Sequence, residues 1–160
     1  MQRVMIWLHP LEEEGRILIE GSVIDLVSHY RQQETKTPEA GGILLGYRRD
    51  THLHVVSATP PQQGDRRARH CFHRRDPLHH MTAVDQWKSS GSTIDYLGEW
   101  HTHPEGDPSP SSLDISEWRK ICRTRQECMV FLIVGNVGKL WLGIGQGHNI
   151  QVADNGVDDR

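Results

Sequence analysis

Thr93-Ile-Asp-Tyr-Leu-Gly-Glu-Trp-His101-Thr-His103-Pro-Glu-Gly-Asp-Pro-Ser-Pro-Ser111-Ser-Leu-Asp114 is the stretch from which the organisation of the chain is read. Thr93 to Thr102 reads as a strand, with Ile94, Tyr96 and Leu97 among its apolar residues. The proline-rich segment 104–110 cannot continue it and forms a loop. Ser111 followed three positions later by Asp114 is a capping box, and it opens a helix from Ser112 to about Arg123. The apolar run Cys128–Val134 then reads as a buried strand, and Lys139–Gly145 and His148–Val152 as two more.

Upstream, Gly41–Tyr47 and His52–Ala58 are strands on either side of the turn Arg48-Arg-Asp-Thr. Val4–Leu8 and Arg16–Ile19 are two short strands. Ser22 is expected to cap a helix to about Gln33, with Val23, Leu26, Val27 and Tyr30 forming a 3.6-residue stripe, and residues 34–38 break it. Pro60–Arg75 reads as a polar, arginine-rich loop, after which Asp76 and Pro77 open a helix to about Ser89. Mixed strands with three helices predict an α/β fold, a mixed β-sheet flanked by helices as an α-β-α sandwich. One domain is expected over 1–153, with a frayed tail at 154–160.

The 160 residues suffice for one core, and 36 % apolar with 24 % charged residues is an ordinary globular composition. A net charge of −3 argues against broad attraction to nucleic acid or anionic lipid. The apolar stretch Met129–Val134 is too short to span a bilayer, and the first residues show no leader pattern. Cys71, Cys122 and Cys128 make no CxxC pair and leave an odd count, which fits a reducing cytoplasm better than a disulfide framework. Of eleven histidines, most are expected at the surface, including the pairs His70/His73 and His79/His80 among their polar neighbours. The five tryptophans are assigned to the core by default.

The chemistry concentrates in the opening stretch. His101 and His103, two apart on a strand, point to the same face and reach one ion. Asp114 arrives in the first turn of the next helix. Two imidazoles and one carboxylate make a three-ligand set of the catalytic zinc type, with a fourth position left for water whose pKa zinc lowers to about 7. No sulfur ligand takes part, and the set does not by itself distinguish zinc from iron or manganese. Taken singly, an H-x-H pair is common on surfaces and Ser111–Asp114 is simply a cap. The whole string, H-x-H-P with a serine eight positions after the second histidine and an aspartate three further on, is far more specific.

That string resembles the motif of the JAB1/MPN (JAMM) metalloprotease family, and the resemblance runs from about residue 17 to 146. It implies a JAB1/MPN domain, one Zn2+ per chain on His101, His103 and Asp114, and hydrolysis of an amide or isopeptide bond. In the family a glutamate precedes a glycine-flanked apolar strand, and Glu39-Ala-Gly-Gly-Ile-Leu-Leu-Gly46 fits that pattern. The resemblance therefore assigns Glu39 as general acid/base and Ser111 as the donor that steadies the oxyanion. Glu99, on the strand face of His101 and His103, is the rival base. The small form is similar to the prokaryotic JAB branch, and in particular to isopeptidases of antiphage (CBASS-type) operons. This implies as partners a ubiquitin-like protein, or the C-terminal tail of a conjugated signalling nucleotidyltransferase, together with E1- and E2-like operon enzymes. Three other readings stand beside it: a peptidase trimming a ubiquitin-like sulfur carrier, a RadC-like DNA-associated protein, and a non-catalytic MPN interaction module. The arginines of 66–75 read either as a solvated loop or as a partner-binding segment near the cleft.

Overall fold

The computed structural model describes residues 3–154. Two short strands, β1 (Val4–Leu8) and β2 (Arg16–Glu20), pair antiparallel with Ile6 opposite Leu18. Helix α1 (Gly21–His29) follows directly, then the hairpin of β3 (Gly41–Arg49) and β4 (His52–Ala58). Two three-residue strands, β5 (Arg66–Ala68) and β6 (Cys71–His73), form a separate hairpin before α2 (Leu78–Ser89). Then come β7 (Asp95–Thr102), α3 (Ser112–Arg125), β8 (Met129–Val134), β9 (Leu140–Gln146) and β10 (Asn149–Val152).

Eight strands form one mixed sheet in the order β1-β2-β4-β3-β7-β8-β9-β10. β2 runs parallel to β4 and β7 parallel to β8, and the other neighbours are antiparallel. A parallel pair needs a crossover, and α3 supplies the one from β7 to β8. Such a unit exposes the carboxyl end of its first strand, and His101 and His103 lie at that end.

Every residue of β8 is buried, which is why it reads as an unbroken apolar run. Val130, Leu132 and Val134 enter one cluster with Ile17, Val55 and Trp100, covered by Val23 and Val27 of α1. Met129, Phe131 and Ile133 enter a second, covered by Trp118 and Cys122 of α3. The sheet therefore lies between helical layers, and the expected α-β-α arrangement is the one observed. Among the described residues no helix is long and apolar enough to cross a membrane.

Several details depart from the sequence reading. Ser22 is not a cap: α1 starts at Gly21 behind Glu20, which makes no side-chain capping bond. The strand bends straight into the helix against the N-terminal segment, where a Cβ on Gly21 would stand 2.6 Å from the Arg3 carbonyl oxygen. The helix also ends at His29, before Gln33, because Gln32 is turned inward to bond the Thr37 and Arg69 carbonyls and Thr102. The polar loop 60–75 holds the β5–β6 hairpin. Thr93 and Ile94 belong to a turn on Ser90, whose hydroxyl accepts from both amides, so β7 begins at Asp95. His79 is fully buried and Trp87 is exposed, both against expectation, while the three cysteines are free thiols. Of the tail expected to fray, Asp154 accepts the Leu8 N–H through its carbonyl at 2.9 Å, and residues 155–160 lie outside the described residues.

Candidate active site

The site is assembled where β3 meets β7. Gly41 stands opposite His101 and Gly42 opposite Trp100. The pairing continues past the strand end, with Ala40 N–H donating to Thr102 Oγ1 at 3.0 Å and Thr102 N–H to the Ala40 carbonyl at 2.9 Å. That register sets Glu39 beside His103. The glycines are required by close approach: a Cβ on Gly42 would fall 2.0 Å from the Thr59 carbonyl oxygen, and one on Gly41 2.7 Å from the Phe72 ring.

His101, His103 and Asp114 form a tight triangle. The two Nε2 atoms are 3.0 Å apart, and Asp114 Oδ2 lies 3.4 Å from His101 Nε2 and 3.1 Å from His103 Nε2. Tetrahedral zinc with bonds of about 2.0–2.2 Å spaces its ligand atoms about 3.3–3.5 Å apart. The donors fit that spacing to within a few tenths of an ångström, so these residues form a group able to hold a metal ion. Burial by itself would raise the Asp114 carboxyl, but hydrogen bonds from the two histidines and the Ser111 N–H hold it well below the usual carboxylate range. Burial likewise opposes charge on His103, yet Asp114 on one nitrogen and Glu105 on the other raise its pKa to about 9.

The neighbouring loop orients these donors. Glu105 Oε1 lies 3.1 Å from His103 Nδ1, a carboxylate–histidine pair of the kind that fixes a metal ligand's tautomer and ring plane. The capping box is complete: Asp114 N–H donates to Ser111 Oγ at 3.0 Å and Ser111 N–H to Asp114 Oδ2 at 2.9 Å. A cap bond uses the serine oxygen as acceptor and leaves its hydroxyl proton available to a ligand. The sequence reading missed Glu105, although a carboxylate two residues after an imidazole ligand is a recognisable signal.

Glu39, Ser111 and the triangle all line one cleft of about 860 Å³. Glu39 is only 7 % exposed, and burial pushes its carboxyl up to about 7. Its N–H donates to the Ala68 carbonyl at 2.7 Å, and its carbonyl accepts from Arg67 Nε at 2.8 Å, so the β5–β6 hairpin grips its backbone and leaves the carboxyl to the cleft. Glu99 faces the same cleft, but its carboxylate is claimed by the Arg74 guanidinium and, at 3.2 Å, by the Tyr96 hydroxyl. Arg66, His70 and His73 of the arginine-rich segment also line this cleft.

Residues 24–145 match the family described as prokaryotic homologs of the JAB domain. The chain is 41 % identical over 133 residues to a CD-NTase/cGAS isopeptidase of Vibrio cholerae, covering 82 % of this chain and 83 % of the relative. A CD-NTase/cGAS isopeptidase of Pseudomonas aeruginosa is 41 % identical over 106 residues, 66 % of this chain and 67 % of the relative. A desampylase of Haloferax volcanii is 30 % identical over 91 residues, 56 % of this chain and 62 % of that protein. In fold, the chain is similar to a Desulfitobacterium hafniense protein solved in solution, with a TM-score of 0.56 at 22 % identity over 81 % of this chain and 84 % of the other. With a family match over most of its length and the His–His–Asp triangle at the end of β7, the chain belongs to the prokaryotic JAB-domain family.

Proposed function

We propose that this protein is a zinc-dependent isopeptidase of the JAMM type that hydrolyses the bond joining a conjugated protein's C-terminus to a target lysine. The observation that carries the reading is a buried carboxyl, Glu39, beside three metal-type donors 3.0–3.4 Å apart in one cleft. The CD-NTase/cGAS isopeptidases among its relatives support a CD-NTase as the conjugated protein.

His101, His103 and Asp114 would hold one zinc ion, which lowers the pKa of water and polarises the scissile carbonyl. Glu39 takes a proton from the attacking water and returns it to the departing lysine amine, which leaves poorly without one. With its backbone gripped by the β5–β6 hairpin, the carboxyl is left free for both transfers. The Ser111 hydroxyl donates to the carbonyl oxygen as charge develops on it. Glu105 keeps the His103 ring in its ligating orientation. Glu99, neutralised by Arg74, shapes the cleft wall and takes no part in proton transfer.

The test is Glu39→Gln. It is expected to retain about one zinc per chain by elemental analysis and to bind a lysine-linked CD-NTase conjugate without cleaving it. Normal cleavage by this variant would refute the assignment of the base, and a wild-type protein without zinc after reconstitution would refute the metal.

A further inference from the structure

A buried polar chain that the chemistry above does not use lies behind the cleft wall. His79 is fully buried, with Nδ1 2.6 Å from Thr59 Oγ1 and Nε2 2.7 Å from Asp65 Oδ2. In an open cleft, a hydroxyl, an imidazole and a carboxylate in series would read as nucleophile, base and orienting group. Here no substrate can reach them: Thr59 is 3 % exposed, the Asp65 side chain is wholly buried, and Thr59 Oγ1 already accepts the Ile43 N–H at 2.9 Å.

The connections run instead to the parts of the active site. Asp65 closes both ends of the excursion that carries β5 and β6. Its Oδ2 accepts the Gln62 N–H at 2.7 Å, and its Oδ1 accepts the N–H groups of Arg75 at 2.8 Å and Asp76 at 2.9 Å. Thr59 holds the other side. Its hydroxyl grips β3 at Ile43, four residues beyond Glu39, and its carbonyl accepts Trp100 Nε1 at 2.9 Å, next to His101 on β7. His79 joins the two halves, and among the described residues it is the one buried residue of α2. A hairpin of two three-residue strands has little stability of its own, so its place depends on such anchoring. The anchored segment supplies Phe72 against Gly41 and the Ala68 carbonyl that holds the Glu39 N–H.

We propose that His79 is a positioning residue for the isopeptidase reaction: by bridging Asp65 and Thr59 it sets the cleft wall, residues 62–76, against the strands that carry Glu39 and His101. This rests on the isopeptidase reading of the site. It assigns His79 to aligning the cleft wall and Glu39 with the scissile bond, acting through those residues and touching no reacting atom itself. Losing the bridge leaves Asp65 and Thr59 buried without their shared partner, and the wall shifts to rehydrate them.

The discriminating variants are His79→Leu, which removes both hydrogen bonds at similar volume, and His79→Gln, whose carboxamide offers a donor and an acceptor in their place. His79→Leu is expected to lower kcat/KM for the conjugate about tenfold or more, since misplacement by an ångström is enough to cost that much. Zinc content should be unchanged. Hydrogen exchange at the Gln62, Arg75 and Asp76 amides should quicken by at least about tenfold as Asp65 is released. His79→Gln should restore both kcat/KM and protection. Thr59→Val cuts the same chain at its other end and answers the question if His79→Leu does not fold. The proposal is overturned if the bridge-breaking variant keeps wild-type kcat/KM or wild-type amide protection, or if it loses zinc. Should the wild type cleave no conjugate, the isopeptidase reading fails by itself, and unchanged amide exchange would still overturn the anchoring role.

Discussion

Replacing Asp114 with asparagine in the metal-free protein should lower the pKa of His103 from about 9 to below about 8. Burial alone would push this imidazole down, but carboxylate oxygens stand 3.1 Å from each of its nitrogens, Asp114 on one side and Glu105 on the other. The variant removes one of the two. Since the folded value lies above the ordinary 6.5, His103 contributes stability that is fully present below pH 6.5 and is lost as pH rises through 9. At about 1.4 kcal/mol per pKa unit, that contribution is on the order of 3 kcal/mol. Metal ligation needs the neutral ring, so zinc uptake at pH 7 must displace the His103 proton and is weakened roughly a hundredfold relative to a ring already neutral. The assay is an imidazole NMR titration of chelator-treated protein over about pH 5–10, with urea unfolding near pH 6.5 and 9 to read the stability change. A wild-type His103 that titrates near 6.5, or an Asp114→Asn protein in which its titration does not move, would refute the electrostatic account of the cluster.

Ser111→Ala should keep zinc while losing on the order of 10²–10³ in turnover, and should lose about 1 kcal/mol of stability as the α3 cap disappears; measured turnover near wild type would leave the serine only its capping role. Glu105→Gln should weaken zinc affinity about 10–100-fold in a chelator competition, and unaltered affinity would show that the His103 ring needs no carboxylate behind it. In parallel assays Glu39→Gln should lose about 10²–10⁴ in kcat with its metal in place, whereas Glu99→Gln stays active; the reverse pattern would transfer the base to Glu99. Gly42→Ala should destabilise the fold by about 1–3 kcal/mol or more in chemical denaturation, because its new methyl would meet the Thr59 carbonyl oxygen at 2.0 Å.

Three of the departures from the sequence reading share one cause. Gln32, His79 and Thr59 are polar residues that each have a partner 20 to 70 positions away, and nothing in their immediate neighbours marks them as buried. Without those partners Gln32 reads as part of a helix, His79 as a surface histidine and 60–75 as a polar loop. Trp87 errs the other way: it sits in a helix with one buried residue, on the edge of a groove shared with α3.

What the sequence determined by itself is what local geometry suffices to specify. The strand period puts His101 and His103 on one face, and a proline-rich loop ending in Ser111-Ser-Leu-Asp114 returns the carboxylate to them in a capped first turn. The unbroken apolar run Met129–Val134 marks that strand for burial. The tertiary structure alone decided how this segment is completed. Pairing of β3 with β7 brings Glu39 across more than sixty residues to the metal-type donors, burial raises its carboxyl to about 7, and Arg74 and Tyr96 engage the carboxylate of Glu99. The physical reason is that ligand convergence follows from bond angles within one strand and one turn, whereas the pKa and orientation of a carboxyl depend on the solvent and charges that the rest of the fold sets around it.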